Sequence, residues 1–318
     1  MLITRFVGRF SLLALMVLGA GTLYGQDYPS KPIRIYTSNV GGSNDFLSRQ
    51  IAQGISGHLG QPMLVENRGG IIAATAVAKA PADGYTLLIN SGTWYIASFL
   101  TKLSYDPLRD FTPITITTST PNLLVVHPSL PVKSVKELVA LAKARPGELN
   151  YGAGGVGGAG HLSAELFKSM AGVNIVNVQY KGSGRSVPAL VAGEIQLLFS
   201  DYTPLEAHVK SGRLKALAVT SAQPSELFPG LPTLAAAVPG YISVAKSGAF
   251  APANTPPAII NRLNQEIVRF LKTPEMKGRI LKTGSEVVAS SPDELAAWMK
   301  ADMAQWGKVI KDAGIKTD

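Results

Sequence analysis

Two rhythms of apolar residues alternate along the chain. Short runs rich in Val, Ile and Leu, at 33–38 (IRIYTS), 62–67 (PMLVEN) and 83–90 (DGYTLLIN), read as buried strands. Between them apolar side chains recur at helical spacing, first at Leu47, Ile51, Ile55 and Leu59, then in an alanine-rich stretch at 73–80. The order repeats further on. A strand at 122–128 (NLLVVHP) precedes a helix and a strand within SVKELVALAKARPGELNYGAGG. A helix at 161–172, a strand at 173–180, a helix around 186–192 and strands at 194–201 and 212–221 follow. The chain then returns through SGAFAP (247–252) and closes with two amphipathic helices at 256–271 and 292–313. Alternating strands and helices predict an α/β architecture, with mainly parallel sheets covered by helices on both faces.

Twice a predicted strand runs into a glycine-rich loop just before a helix. One loop is NVGGSND, with glycines at 41–42; the other is GAGGVGGAG, with six glycines between 152 and 160. A helix N-terminus presents unpaired backbone N–H groups and a positive dipole end, and glycine lets an anion approach them. In open α/β sheets, ligands lie beyond the carboxyl ends of the strands, where both loops sit. Two such loops suggest two domains facing one ligand. The second loop also matches G-x-G-x-x-G twice, at Gly152-Gly154-Gly157 and Gly155-Gly157-Gly160. A dinucleotide site needs an acidic residue about 20 positions on to hold the ribose. Here the next strand ends Gln179-Tyr180-Lys181-Gly182, without a carboxylate, and glycine is common enough (32 of 318 residues) for the pattern to arise by composition.

The start of the chain changes the weighting of these readings. Arg5 and Arg9 precede an apolar run from Phe10 to Leu18, and small residues lead to a plausible cleavage near Gly25. Residues 1–25 therefore read as a secretory signal peptide, which predicts a periplasmic protein with little use for cytoplasmic nucleotides. There is no cysteine, which excludes a cysteine-linked lipid anchor and any disulfide framework. The formal charge is +9, but the basic residues are scattered singly, without a Lys/Arg run or interleaved aromatics. That distribution fits a field attracting small anions better than a nucleic-acid surface. Beyond the signal, no stretch of ~18 apolar residues suits a membrane span.

No catalytic constellation emerges. His58, His127, His161 and His208 lie in separate segments without metal-ligand spacing, and there is no G-x-S-x-G elbow. No metal or cofactor is expected. His161, at the head of a helix, reads as a packed or capping residue. Asp45 reads either as a favourable first-turn acid or as a contact to ligand or water.

An ordered set of phrases resembles the Bug-type periplasmic solute-binding proteins of tripartite tricarboxylate transporters. They include YPSKPIRIY, LGQPMLVENRGG, AVAKAPADGYTLL, LSYDPLRDFTPI, VQYKGSGRSVPALVAGEIQLLF, GRLKALAVTSAQ and FAPANTPPAIINRLN, spanning Tyr28 to about Ile315. The resemblance implies a two-lobed type II periplasmic binding protein that clamps its ligand. One lobe would be 27–124 with 249–318 and the other 125–248, with crossings near 123–126 and 248–251. Family members hold small carboxylates largely through backbone N–H groups of two opposed loops. Here those correspond to Ser38, Asn39, Val40, Gly41, Gly42, Ser43 and Asp45 on one side. Ala153, Gly154, Gly155, Val156, Gly157 and Gly158 form the other.

Departures from the family pattern bear on the ligand. The first loop keeps its GG-x-x-D tail but lacks the usual prolines, and the segment at 69–74 is about three residues short. Val156 stands where a polar residue is common, and Phe199-Ser200-Asp201 moves a carboxylate by one place. Lys246 replaces a frequent aromatic. Ser91, Thr93, Trp94 and Tyr95 follow a strand end at the cleft. Trp94 and Tyr95 either wall the site or pack the core. Lys246 either pairs with a second carboxylate or is solvated. An aromatic or dicarboxylic acid would suit the first of each pair. The expected partners are a small organic carboxylate and the membrane components of a tripartite tricarboxylate-type transporter, with no nucleic acid, and the expected state is a monomer. The alternatives are a sensor docking on a two-component histidine kinase and, more distantly, a nucleotide-dependent oxidoreductase.

Overall fold

The structure, a computed structural model, describes residues 28–181 and 183–316. The expected signal peptide lies outside them. Strands and helices alternate as the apolar rhythm predicts, and they assemble around two sheets.

In the first sheet the three opening strands run parallel. These are β1 (Ile33–Thr37), β2 (Met63–Asn67) and β3 (Thr86–Ser91), with β1 between the other two. Beside β3 lies β10 (Val244–Pro252), antiparallel to it, followed by β4 (Phe111–Pro121) and the short β11 (Glu286–Val287). The second sheet has the order β7 (Val176–Gln179), β6 (Asn150–Ala153), β8 (Leu197–Ser200), β5 (Leu123–Val126), β9 (Lys215–Val219). Its β6, β7 and β8 are parallel, and β5 runs against its two neighbours. The first sheet thus contains two reversed strands, β10 and β11, and the second contains one, β5, which the alternating α/β pattern does not announce.

Helices cover both faces. Over the first sheet, α1 (Ser43–Leu59) lays Leu47, Ile51, Ile55 and Leu59 against β1 and β3, all at most 4% exposed. Burying such side chains stabilises by about 1.5–3 kcal/mol each. Two further helices, α8 (Pro257–Leu271) and α9 (Pro274–Leu281), join that face, while α2 (Gly70–Ala78) and the short α3 (Thr93–Ile96) take the other. Around the second sheet α4 (Val135–Ala144) and α5 (Ala159–Ala171) pack on one side. The proline-containing α6 (Ser183–Val191) packs on the other, with α7 (Glu206–Lys210) beyond it. The final helix α10 (Pro292–Asp312) starts in a capping box between Ser291 and Glu294. Its Leu295 and Met299 enter the core of the first sheet, whereas Trp306, Val309 and Ile310 enter the core of the second. It straps the two halves together. Among the described residues no helix is long and apolar enough to cross a membrane.

The chain passes between the sheets at Asn122, which separates β4 from β5, and again between Thr220 and Val244. The stretch 248–251 already lies within β10 of the first sheet. Side-chain and backbone bonds lock the two passages to each other. The Asn122 N–H donates to Thr220 Oγ1 (2.7 Å), and the Ser243 N–H donates to the Thr220 carbonyl (3.0 Å).

Candidate functional site

Between the sheets lies a cleft of about 420 Å³. The first half contributes the start of α1 and the end of β3; the second contributes the loop before α5 and the end of β8; Thr120, Asn122, Ala245 and Ser247 come from the crossing strands.

At the first jaw, α1 begins after Gly42, and no side chain caps its first turn. Gly41 is left-handed (φ 80°) and its N–H donates to Asp45 Oδ2 at 2.9 Å. Asp45 Oδ1 accepts from Arg49 Nε (2.9 Å) and Asn67 Nδ2 (2.8 Å), and the same Asn67 nitrogen donates to the Ser38 carbonyl (2.9 Å). Burial alone would raise the Asp45 carboxyl, but the Gly41 N–H, the Asn67 amide and Arg49 together hold it below its ordinary value. The sequence left Asp45 open between first-turn acid and ligand contact. Its oxygens are turned into the loop, so it shapes the site rather than facing the cleft. The adjacent Asn44 ties the helix start to the sheet, donating to Asn90 Oδ1 (3.1 Å) and accepting from Ser247 Oγ (2.7 Å).

The second jaw repeats this plan. Gly158 precedes α5 without a side-chain cap, Gly157 is left-handed (φ 70°), and its N–H donates to His161 Nδ1 at 3.0 Å. Because Nδ1 accepts, the ring proton sits on Nε2. The Asn177 side-chain amide lies 3.0 Å from Nε2, and the proton requires its oxygen to face the ring; Asn177 Oδ1 has no other partner. Burial lowers the His161 pKa, with Glu165 opposing and Lys168 reinforcing the shift, so the imidazole is neutral at neutral pH. Of the two readings, packed or capping, His161 is the packed one: it is buried and holds the loop rather than capping the helix. Gly160 answers another part of the glycine excess. A Cβ there would lie 2.3 Å from the Phe199 carbonyl oxygen, so only glycine lets α5 approach β8 this closely.

Of the residues expected to bind, the cleft brings together Ser43, Ser91, Gly154, Gly155, Gly158 and Asp201. Thr93, Gly157 and Lys246 line a smaller adjoining chamber instead. Ser38, Asn39, Val40, Gly41 and Gly42 form the loop around the first helix start but do not line the cleft; Val40 is 75% exposed. Val156 is likewise exposed, and Ala153 is buried in β6.

The aromatic wall is corrected. Trp94 is 1% exposed and packs against Tyr95, Tyr105, Phe111 and Phe250 with ring centroids 4.5–5.8 Å apart. The turn that opens α3 aims Trp94 and Tyr95 inward and leaves Thr93 exposed. Lys246 is half-buried rather than freely solvated. It points from the opposite face of β10 to Ser247, and its Nζ lies 3.5 Å from the Trp298 ring centroid. Burial lowers its pKa, opposed by Asp302 and Glu294. Asp302, itself pushed up to about 6 by burial, accepts from Tyr95 Oη (2.8 Å) and Trp306 Nε1 (2.9 Å).

Sequence reasoning missed Asn44, Thr120, Asn122, Ser186 and Ser247 as cleft residues. Asn44 carried a signal, as the second residue of a helix behind a glycine loop. Thr120 and Ser247 belong to the β4–β10 pairing, which was not foreseen. Among the described residues no group of His, Asp or Glu is placed to hold a metal ion. What the cleft offers is two uncapped helix N-termini and small hydroxyl and amide side chains, an arrangement suited to binding an oxyanion.

Comparison with known proteins agrees with that geometry. The TctC family, described as the tripartite tricarboxylate transporter family receptor, matches residues 47–315. The chain belongs to this receptor family. Among TctC relatives, Protein BugT of Bordetella pertussis is 33% identical over 305 residues, covering 93% of this chain and 94% of BugT. The Rhodopseudomonas palustris protein Rpa4515, solved with adipate, is 37% identical with a TM-score of 0.71, over 91% of this chain and all of that one. MatC of the same organism, solved with bound malate, is 28% identical with a TM-score of 0.68, over 89% of this chain and all of that one.

Proposed function

We propose that this TctC receptor works in the periplasm, captures a small organic carboxylate between its two lobes, and delivers it to the membrane components of a tripartite tricarboxylate-type transporter. The carrying observation is the pair of uncapped helix starts, at Gly42 and Gly158, set on opposite sides of one cleft. Each offers N–H groups and a positive dipole end, and a carboxylate bridging them joins the lobes. One lobe is built on the first sheet, from the start of the described residues to β4 and again from β10 onward, and the other on the second sheet from β5 to β9, with α10 reaching across both cores. A ligand that touches both lobes favours the closed arrangement over the open one, and closure is the signal a membrane partner reads. The relatives solved with adipate and malate support a carboxylate as the ligand class. We read the role as binding without chemistry: His161 and Asp45, the titratable residues of the two jaw loops, are both engaged in holding those loops.

A thermal-shift screen of the purified protein against carboxylates, amino acids, neutral sugars and NAD tests the reading. A ligand at 100 times its Kd stabilises by about 2.7 kcal/mol. The expected hits are carboxylates alone. A shift from NAD or a neutral solute, with none from any acid, would overturn it.

A further inference from the structure

A second chamber adjoins the cleft. It has a volume of about 120 Å³ and shares Ser91, Asn122, Ala159 and Ala245 with the cleft, so only small side chains stand between the two. Its walls come from both halves of the molecule. Ile96, Ala97 and Leu100 follow β3 in the first, and Leu162 and Trp306 belong to the core of the second. Ile96 and Leu100 also pack against that second core. At Gly157 a side chain would meet Leu100 Cδ1 at 2.7 Å, so the bare loop is what lets the halves approach here.

The chamber is chemically unlike the cleft. Half of its lining residues are aliphatic or aromatic, with polar Ser91, Thr93, Asn122 and Ser243 among the rest, and its two charged residues already have partners. Lys246 lies on the Trp298 ring with Asp302 and Glu294 as countercharges, and each Asp302 oxygen accepts a hydrogen bond, from Tyr95 and from Trp306. A second carboxylate entering the chamber would meet the Asp302 charge and find no uncapped helix end. An apolar group would find Ile96, Ala97, Leu100, Leu162, Val244 and Trp306 around a space of comparable size to the cavity of roughly 150 Å³ that takes up benzene.

We infer that this chamber seats an uncharged apolar arm of the ligand, so that the preferred ligand is a monocarboxylic acid carrying a short aliphatic chain or a single ring. The inference rests on the carboxylate reading of the cleft and names the class of acid. The arm touches both halves and adds to the closing force that the carboxylate supplies.

Isothermal titration of the purified protein with acetate, butanoate, hexanoate, octanoate, benzoate and adipate tests it. Affinity is expected to rise about three- to fourfold per methylene as the chamber fills, to peak near hexanoate, and to be weaker for adipate than for hexanoate. Ala97→Phe fills the chamber and flattens the chain-length series. Leu100→Ala widens it and moves the peak to a longer chain, which keeps the test open should the first variant not fold. Acids that bind without dependence on length, or adipate binding more tightly than hexanoate, overturn the apolar arm while leaving the carboxylate cleft standing. Failure of every acid to bind removes both.

Discussion

The two jaws of the cleft solve one problem with different chemistry. In each, a left-handed glycine precedes an uncapped helix, and the third residue of that helix reaches back to accept the glycine N–H. Gly41 donates to Asp45 at 2.9 Å and Gly157 to His161 at 3.0 Å. At the first jaw the acceptor is a carboxylate, shared with Arg49 and Asn67. At the second it is a neutral imidazole stacked on Tyr151, with ring centroids 6.4 Å apart, and next to Asn177. The difference matters for an anion. A carboxylate in the first turn partly offsets the positive helix end, whereas a neutral imidazole leaves that end fully positive. If the cleft takes up a carboxylate, the second jaw should therefore hold it more strongly, while the first is tied by the larger set of bonds.

The largest break in this comparison comes from Asp45→Ala. It strands the Gly41 N–H, removes one of the two bonds of the Asn67 amide and takes the carboxylate from Arg49, at an expected cost of about 2–4 kcal/mol in urea unfolding. Asp45→Asn keeps part of the loop and should cost less. Equal, small losses for both variants would mean that the ring of bonds does not hold the first jaw. Next in size are the glycines themselves. Gly41→Ala has open space around its new Cβ and meets only the left-handed backbone penalty, about 1–2 kcal/mol. Gly157→Ala carries the same penalty and must also displace Leu100. It should cost more stability than Gly41→Ala and weaken ligand binding as well. The reverse order in paired unfolding and binding measurements would show that the halves do not approach at Gly157.

Much of this was legible in the sequence because glycine-rich loops ahead of helices have few physical uses. The stripe of Leu47, Ile51, Ile55 and Leu59 placed α1, and NVGGSND and GAGGVGG placed the two jaws. What escaped was non-local. The segment FTPITITTSTP carries two prolines and alternating threonines, so its pattern does not announce a strand. It becomes β4 because β10 pairs along its whole length, with a register shift near Pro113 absorbing one proline and Pro121 falling at the strand end. Trp94 looked like a cleft residue because it follows a strand end. Only the packing of Phe111, Tyr105 and Phe250, brought from distant segments, shows that its ring has a better place inside. Lys246 stayed open between ligand cation and solvated residue because Trp298 and Asp302, which hold it, lie far along the chain on α10.

The smallest and most discriminating effect separates the jaws by pH. The His161 pKa is lowered from 6.5 in the folded protein, chiefly by burial. The unfolded chain then binds more protons than the folded one just below pH 6.5, so this group's contribution to stability is intact above that pH. It declines as pH falls from 6.5 toward the folded value. Protonated Nδ1 no longer accepts the Gly157 N–H, so the second jaw loosens only once pH falls through the lowered folded value, below the range where stability first declines. Asp45 is held below its ordinary 3.8 and stays charged throughout, leaving the first jaw unchanged. A ligand carboxyl with a pKa near 4.3 is also still ionised there. Binding measured downward from pH 7.5 should therefore stay flat through pH 6.5 in the wild type and weaken only as the lowered folded pKa is reached. In His161→Ala it should be weaker at pH 7.5, by about 1–2 kcal/mol for the lost loop bond, and nearly independent of pH. The same slope in both proteins would place the titrating group elsewhere and leave the second jaw without its proposed neutral anchor.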